Sequence, residues 1–401
     1  MEKRWEFPQL SIKERDRRWK GIRSAMVKRG LDCLLIYADS GDWHSYSADM
    51  RYVTQVGRAA EEGMVVFPLE GEVALCASYG VQYRDWRKNT QEWVKDIREG
   101  FKKGEGPISQ AIKVVKELGL EKRFIGVTGL GGLSAPLGRL PHTTFLLLQK
   151  NFPNLVNATE IVEEMRLIKS EEEIQFTEKA VEISDLAIDT VVEKTRTGMK
   201  GYELYAEVMY TLFKNGSEHP MFLFDHGPAP WHSSPMADAR PLNKGDVILT
   251  VISPRYGGYF GHAHQGFFYG EPRKEFRGLA EAALQSFENG LAALKPGLTV
   301  DEASKAFTEP LVKAGYFWSN PLFHGLGLKM PDYPVGSFGG MVKSPHGHIV
   351  LKEGMVFGLE GTAQLWDEAM GLSIGNAAVI TAIGARYLSK RKPGFITITP
   401  K

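Results

Sequence analysis

The stretch Pro321-Leu-Phe-His-Gly-Leu-Gly-Leu-Lys-Met-Pro-Asp332 places one histidine, His324, just ahead of glycines at 325 and 327. Glycine at such points lets backbone pack close to a site. About 35 residues on, Gly354-Met-Val-Phe-Gly-Leu-Glu360 reads as a hydrophobic strand ending in a carboxylate, a separation suited to two strands joined by a long loop. Upstream, Lys244-Gly-Asp-Val-Ile-Leu-Thr250 leads into the run RYGGYFGHAHQGFFYG, where His262 and His264 alternate with Gly261 and Ala263. In a strand both imidazoles would leave the same face. Two imidazoles on one face cost solvation if buried, so a shared cavity, ligand or metal competes with simple exposure.

The 401 residues suggest two to three domains, and a hydrophobic fraction of 43% with 24% charged residues is that of an ordinary globular protein. Net charge is +1, from 49 basic and 48 acidic side chains, which gives no reason to expect nucleic acid or an anionic membrane as partner. No apolar run approaches the roughly 18 residues of a spanning helix, and MEKRWEFPQL does not read as a signal peptide, so a cytoplasmic location is expected. Cys33 and Cys76, both in apolar runs, are expected as buried free thiols.

In chain order, residues 11–30 read as a helix closed by Gly30, 31–38 as a buried strand, 63–77 as two strands around a turn, and 123–129 as another strand. Strands alternating with helices predict an α/β domain over residues 1–158. Ser170-Glu-Glu-Glu173 and Thr299-Val-Asp-Glu302 are capping boxes that open helices. With strands expected at 246–252, 265–270, 355–360 and 374–381, residues 159–401 predict an α+β domain with helices outside an antiparallel sheet. Eight of the ten histidines lie in this second half, against His44 and His142 before it; His219, His346 and His348 read as surface residues.

EEMRLIKSEEEI, LNKGDVILTV, YGGYFGHAHQGFFYG, FHGLGL and LKEGMVFGLE, in this order, resemble the pita-bread fold of the M24 peptidase family, shared by methionine aminopeptidase, prolidase, aminopeptidase P and creatinase. The first half resembles the smaller domain of its two-domain members. In the metallopeptidases of that family two Asp, one His and two Glu hold two metal ions that activate a water. The resemblance carries the His to His324 and the first Glu to Glu360, but the first Asp to Val251, the second to His262 and the last Glu to Gly375. Valine and glycine side chains coordinate nothing, so a standard dinuclear site is not expected. The second peptidase histidine falls on Pro331, which weakens an ordinary aminopeptidase reading.

Creatinase, which works without metal, implies another route. Its acid–base histidine corresponds to His232, its strand carboxylate to Glu360 and its other substrate carboxylate to His264, while its last Glu falls on Gly375; creatine itself is therefore not the expected substrate. Gly57-Arg58 resembles a Gly-Arg that in creatinase reaches across the dimer to the substrate carboxylate. The expected function is creatinase-like hydrolysis of a C–N bond in a small, carboxylate-bearing molecule. His232, His324, Glu360, His264 and His262 would supply metal-independent acid–base catalysis, with no cofactor. Arg58 and the segment residues Phe224, Asp225, Trp231 and Tyr256 would bind substrate, with 224–226 and 230–232 read as loops. One alternative keeps a single divalent metal ion on His262, His324 and Glu360, as a mononuclear lyase or hydrolase similar to dimethylsulfoniopropionate lyase. Another is an inactive pita-bread binding module. A homodimer is implied by the family.

Overall fold

The computed structural model describes residues 6–39, 41, 47–58, 62–78, 86–99, 106–134, 136–234, 236–367 and 369–401; His44 lies outside them. The chain divides into two compact units, Met1–Leu167 and Ile168–Lys401. The division falls beyond the 158/159 boundary expected from sequence, because the helix Thr159–Leu167 packs on the helices Ile12–Lys28 and Ala48–Thr54 of the first unit.

The first unit is built on a six-stranded sheet. Its strands are β1 (Cys33–Ala38), β2 (Gly63–Pro68), β3 (Ala74–Ala77), β4 (Asp96–Glu99), β5 (Ile125–Val127) and β6 (Leu155–Asn157), in spatial order β4-β3-β2-β1-β5-β6. β1 runs antiparallel to β2 and parallel to β5, which makes the sheet mixed. The short apolar runs read from sequence as strands are buried here, and Cys33 and Cys76 are buried free thiols on β1 and β3.

The second unit follows the expected plan of helices against a largely antiparallel sheet. Ser170 accepts from the Glu173 amide and Glu173 reaches back to the Ser170 N–H, which opens the helix Glu171–Lys194. That helix buries Ile174, Val181, Ile188 and Val191 along one face. The second capping box, at Thr299 and Glu302, opens the helix Val300–Ala314.

Its strands are β7 (Glu218–Gly227), β8 (Val247–Tyr256), β9 (Tyr259–Phe260), β10 (Ala263–Tyr269), β11 (Phe323–Gly325), β12 (Asp332–Val335), β13 (Val356–Leu359), β14 (Gly361–Leu365), β15 (Met370–Thr381), β16 (Gly384–Tyr387) and β17 (Ile396–Ile398). The path β12-β11-β13-β15-β10-β8-β7 forms the spine, with β14 and β16 added on β15, β17 on β10 and β9 on β8. A core of Ile183, Ile188, Val208, Phe222, Phe224, Ile248 and Phe267 fills the space between two helices and β7, β8 and β10.

Candidate catalytic centre

The sheet register collects residues distant in sequence. His264 on β10 pairs with Val251 on β8 at one side and with Gly375 on β15 at the other. Cross-strand partners carry side chains on one face, so the two positions without ligating side chains flank His264 directly. His324 on β11 pairs with Gly358 on β13, two residues before Glu360. Glu360 sits in the break between β13 and β14, where its amide donates to the Leu322 carbonyl at 2.8 Å.

Three imidazoles converge on that carboxylate. His324 Nε2 and His262 Nε2 lie 3.1 and 3.3 Å from Glu360 Oε1, and His264 Nε2 lies 3.5 Å from Oε2. All four side chains are buried. The far ring nitrogens are also engaged: His324 Nδ1 with the Gly325 carbonyl at 2.9 Å, His262 Nδ1 with Ser253 Oγ at 3.1 Å, and His264 Nδ1 with Ser373 Oγ at 2.7 Å. Ser373 Oγ is in turn 3.0 Å from Thr362 Oγ1. Such outer partners fix tautomer and ring orientation.

Burial pushes the His262 imidazole below its usual range and His264 down to about 3. Burial alone would raise the Glu360 carboxyl, but the His264, His262 and His324 imidazoles outweigh it and hold the group well below the carboxylate range. The centre is thus a carboxylate faced by two imidazoles, His262 and His264, that resist protonation.

Space is tight by construction. A Cβ on Gly358 would stand 2.6 Å from His262 Cδ2 and 3.0 Å from His324 Cε1, so only glycine lets both rings lie against β13. A Cβ on Gly375 would collide with the Leu359 carbonyl oxygen, which excludes a glutamate there without a backbone shift. A two-metal ligand set therefore does not fit this backbone.

One ion fits better. Metal–ligand bonds of about 2.0–2.2 Å place tetrahedral donors about 3.3 Å apart, close to the separations around Glu360. One donor atom each from His262, His264 and Glu360 lie within 4.8 Å of one another. Where the sequence expectation joined His262, His324 and Glu360, the structure also brings His264 beside His262 and Glu360, with His324 meeting Glu360 Oε1 at 3.1 Å.

His232 occupies the loop after β7 and lines a narrow cleft together with His264. Its Nδ1 donates to the Ser233 carbonyl at 2.7 Å, and Nε2 faces Asn320 Oδ1 at 2.7 Å. Both partners present an oxygen, so Nε2 can take up a proton only once the Asn320 amide turns away from it. Trp231 lines the same cleft.

Other expected substrate-binding residues lie elsewhere. Phe224 and Asp225 are on strand β7 rather than in a loop. Phe224 is buried in the core against Phe222, and Asp225 pairs with Arg240 at 2.6 Å. Tyr256 ends β8 with its ring edge-on to Phe176. Alternation along β7 turns Phe222 and Phe224 to one face, which packing claims. In the first unit, Arg58 donates to the Pro8 carbonyl at 2.7 Å and lies over the Phe7 ring. Ser253, Ser373, Asn320, Thr362 and Gln364 belong to the surroundings of the centre and were not read from sequence. Their assignment needs the strand register, which no local pattern reveals.

Comparison with known proteins agrees with this architecture. Residues 18–168 match the creatinase/prolidase N-terminal domain. The Xaa-Pro dipeptidase of Pyrococcus furiosus is 29% identical over 248 residues, covering 60% of this chain and 68% of its own. That of Pyrococcus horikoshii is 27% identical over 296 residues, covering 73% and 78%. The solved prolidase of Pyrococcus horikoshii superposes with a TM-score of 0.77 at 22% identity, covering 94% of this chain and 99% of the other, a likeness of fold. An X-Pro aminopeptidase from Thermotoga maritima gives 0.78 at 22% identity, with 95% and 99% covered. Residues 175–382, which carry all four residues of the His/Glu cluster, match metallopeptidase family M24, and the chain belongs to that family.

Proposed function

We propose that this chain is a hydrolase of a C–N bond in a small amide- or peptide-like molecule, with one divalent cation at His262, His264 and Glu360 and His324 beside them. The observation that carries this reading is the approach of three imidazole nitrogens to the two oxygens of Glu360 at 3.1 to 3.5 Å. His324 makes the point sharply. Its Nδ1 must donate to the Gly325 carbonyl, so neutral His324 would turn a lone pair toward Glu360. A proton or a cation relieves that repulsion. In a metal-free centre an imidazolium at His324, with neutral His262 and His264 donating from Nε2 while their Nδ1 atoms accept from Ser253 and Ser373, also accounts for the contacts; a shared cation accounts for them with all three rings neutral.

A bound divalent ion would supply Lewis-acid polarisation of the carbonyl or an activated water. The chain's own residues do the rest. Once the Asn320 amide turns away from it, His232 Nε2 accepts a proton from the attacking water as the new C–O bond forms, and returns it to the leaving nitrogen as the C–N bond breaks. General catalysis of this kind is worth roughly 10²–10⁴-fold. Hydrolysis of a C–N bond draws support from relatives named Xaa-Pro dipeptidase; a lyase draws none from them. Homodimer formation belongs to the same proposal, and light scattering on the purified protein checks it.

The test is elemental analysis of purified protein before and after chelation, alongside Glu360→Gln. About one ion per chain, lost in Glu360→Gln together with hydrolysis of a small amide whose nitrogen end is uncharged, is the expected result. Full hydrolytic activity in metal-stripped protein would leave the metal-free reading in its place.

A further inference from the structure

Beside His264, the cleft is lined by hydroxyls, carboxamides and an indole: Thr362, Ser373, Asn320, Gln364 and Trp231 among them. No Asp, Glu, Lys or Arg is among the described residues that line it. The neighbouring charge, Glu360, is engaged by three imidazoles. A cleft of this composition can bind neutral polar groups by hydrogen bonds but offers nothing to balance a buried ammonium.

Gln364 stands out within it. The residue is 1% exposed, and its Nε2 donates to the Trp231 carbonyl at 3.2 Å, which fixes the orientation of the amide. That leaves Oε1 buried with no hydrogen-bond partner among the described residues. A buried acceptor without a donor is costly, and one in a binding cleft is explained by a donor that arrives with the ligand. The surroundings hold the group in place. Gln364 exchanges backbone hydrogen bonds with Phe317, and the Gly371 amide, opposite it on β15, donates to the Pro230 carbonyl of the Trp231 loop. Trp231 Nε1 is likewise buried and unpartnered by a polar atom, with Trp366 edge-on to its ring.

We propose that Gln364 is a specificity residue: its Oε1 accepts an N–H from an uncharged end of the substrate, such as a primary amide, a urea or a lactam, and the cleft discriminates against a free ammonium. This rests on the reading of the cleft as the substrate site. It sets the chain apart from a dipeptidase that must seat a charged amino terminus. The cleft holds about 10 Å³, room for one water-sized group, so the amide end alone would enter it while the rest of the molecule stays outside. A site built to pair a substrate N–H rejects an analogue that leaves the acceptor unpaired.

Calorimetric titration of the intact protein with N-carbamoylglycine and glycylglycine tests this, since they share a carboxylate tail and differ in the charge of the other end. The wild type is expected to bind N-carbamoylglycine about tenfold more tightly or better. Gln364→Met, similar in size but lacking the acceptor, is expected to lose about that factor for N-carbamoylglycine, and Gln364→Glu to shift the preference toward glycylglycine. Equal or tighter binding of glycylglycine by the wild type, no detectable binding of N-carbamoylglycine, or an unchanged preference in a folded Gln364→Met would overturn the proposal. The wild-type comparison stands even if both variants fail to fold. Absence of metal with this preference intact would remove the cation reading alone.

Discussion

His324 Nε2 lies 3.1 Å from Glu360 Oε1 while the opposite ring nitrogen is committed to the carbonyl of Gly325. The histidine is oriented by its own backbone neighbour and presents its other nitrogen to a carboxylate shared with His262 and His264. A neutral His324 would therefore turn a lone pair toward that carboxylate, a repulsion that a proton on the ring or a cation beside it relieves.

His232 is placed to move a proton without touching the ion site. Its replacement in His232→Gln is expected to lower kcat by about 10²–10⁴-fold while the metal content is unchanged. Steady-state kinetics with elemental analysis of the same preparation checks this. Loss of metal in the variant would instead make His232 part of the ion site.

Ser373 orients His264 through Nδ1 at 2.7 Å. Ser373→Ala is expected to weaken metal binding by about 10–100-fold, as removal of outer-shell partners does, with little change in melting temperature of the metal-stripped protein. Competition with a chelator of known affinity reads the change.

Acid should destabilise the metal-stripped protein earlier than ordinary carboxylates would. His264 is depressed to about 3 and Glu360 well below its usual range, whereas unfolded chains protonate at about 6.5 for His and about 4.3 for Glu. In each window the unfolded state binds more protons, so stability falls as pH falls. The His264 loss begins below about 6.5 and runs toward about 3; the Glu360 loss begins near 4.3 and continues as pH falls through its folded value. Melting temperatures in chelator should be level above about pH 7 and decline below about 6.5, with a shallower decline in His264→Asn. A wild-type curve that stays flat from about pH 7 to 5 contradicts this.

Gly358 is required by shape. Gly358→Ala would press a methyl against the His262 and His324 rings and is expected to cost about 1–3 kcal/mol of stability, as overpacking of a tight core does. Denaturant unfolding measures the cost, and a variant with wild-type stability and metal content would show that the rings can yield.

Much of this protein is local information. The capping boxes at Ser170 and Thr299, the apolar runs that became β1, β2, β8, β10, β13 and β15, and the alternation that turns His262 and His264 to one side all follow from neighbours within a few residues. The order of the motif segments carried the family. Residues whose roles depend on non-local pairing were not legible. Phe224 looked available for a ligand until β7 paired with β8 and packing claimed that face. Tyr256 was taken up in the same way, edge-on to Phe176. Ser253, Ser373 and Gln364 acquired their places only when β8, β10, β14 and β15 set their register. The clearest case is His264: nothing near it in the chain announces that Val251 and Gly375 will be its neighbours. Chain-local propensities specify which segments become strands, but register is decided by burial summed over the whole sheet, and register is what turned three histidines and one glutamate into a single centre.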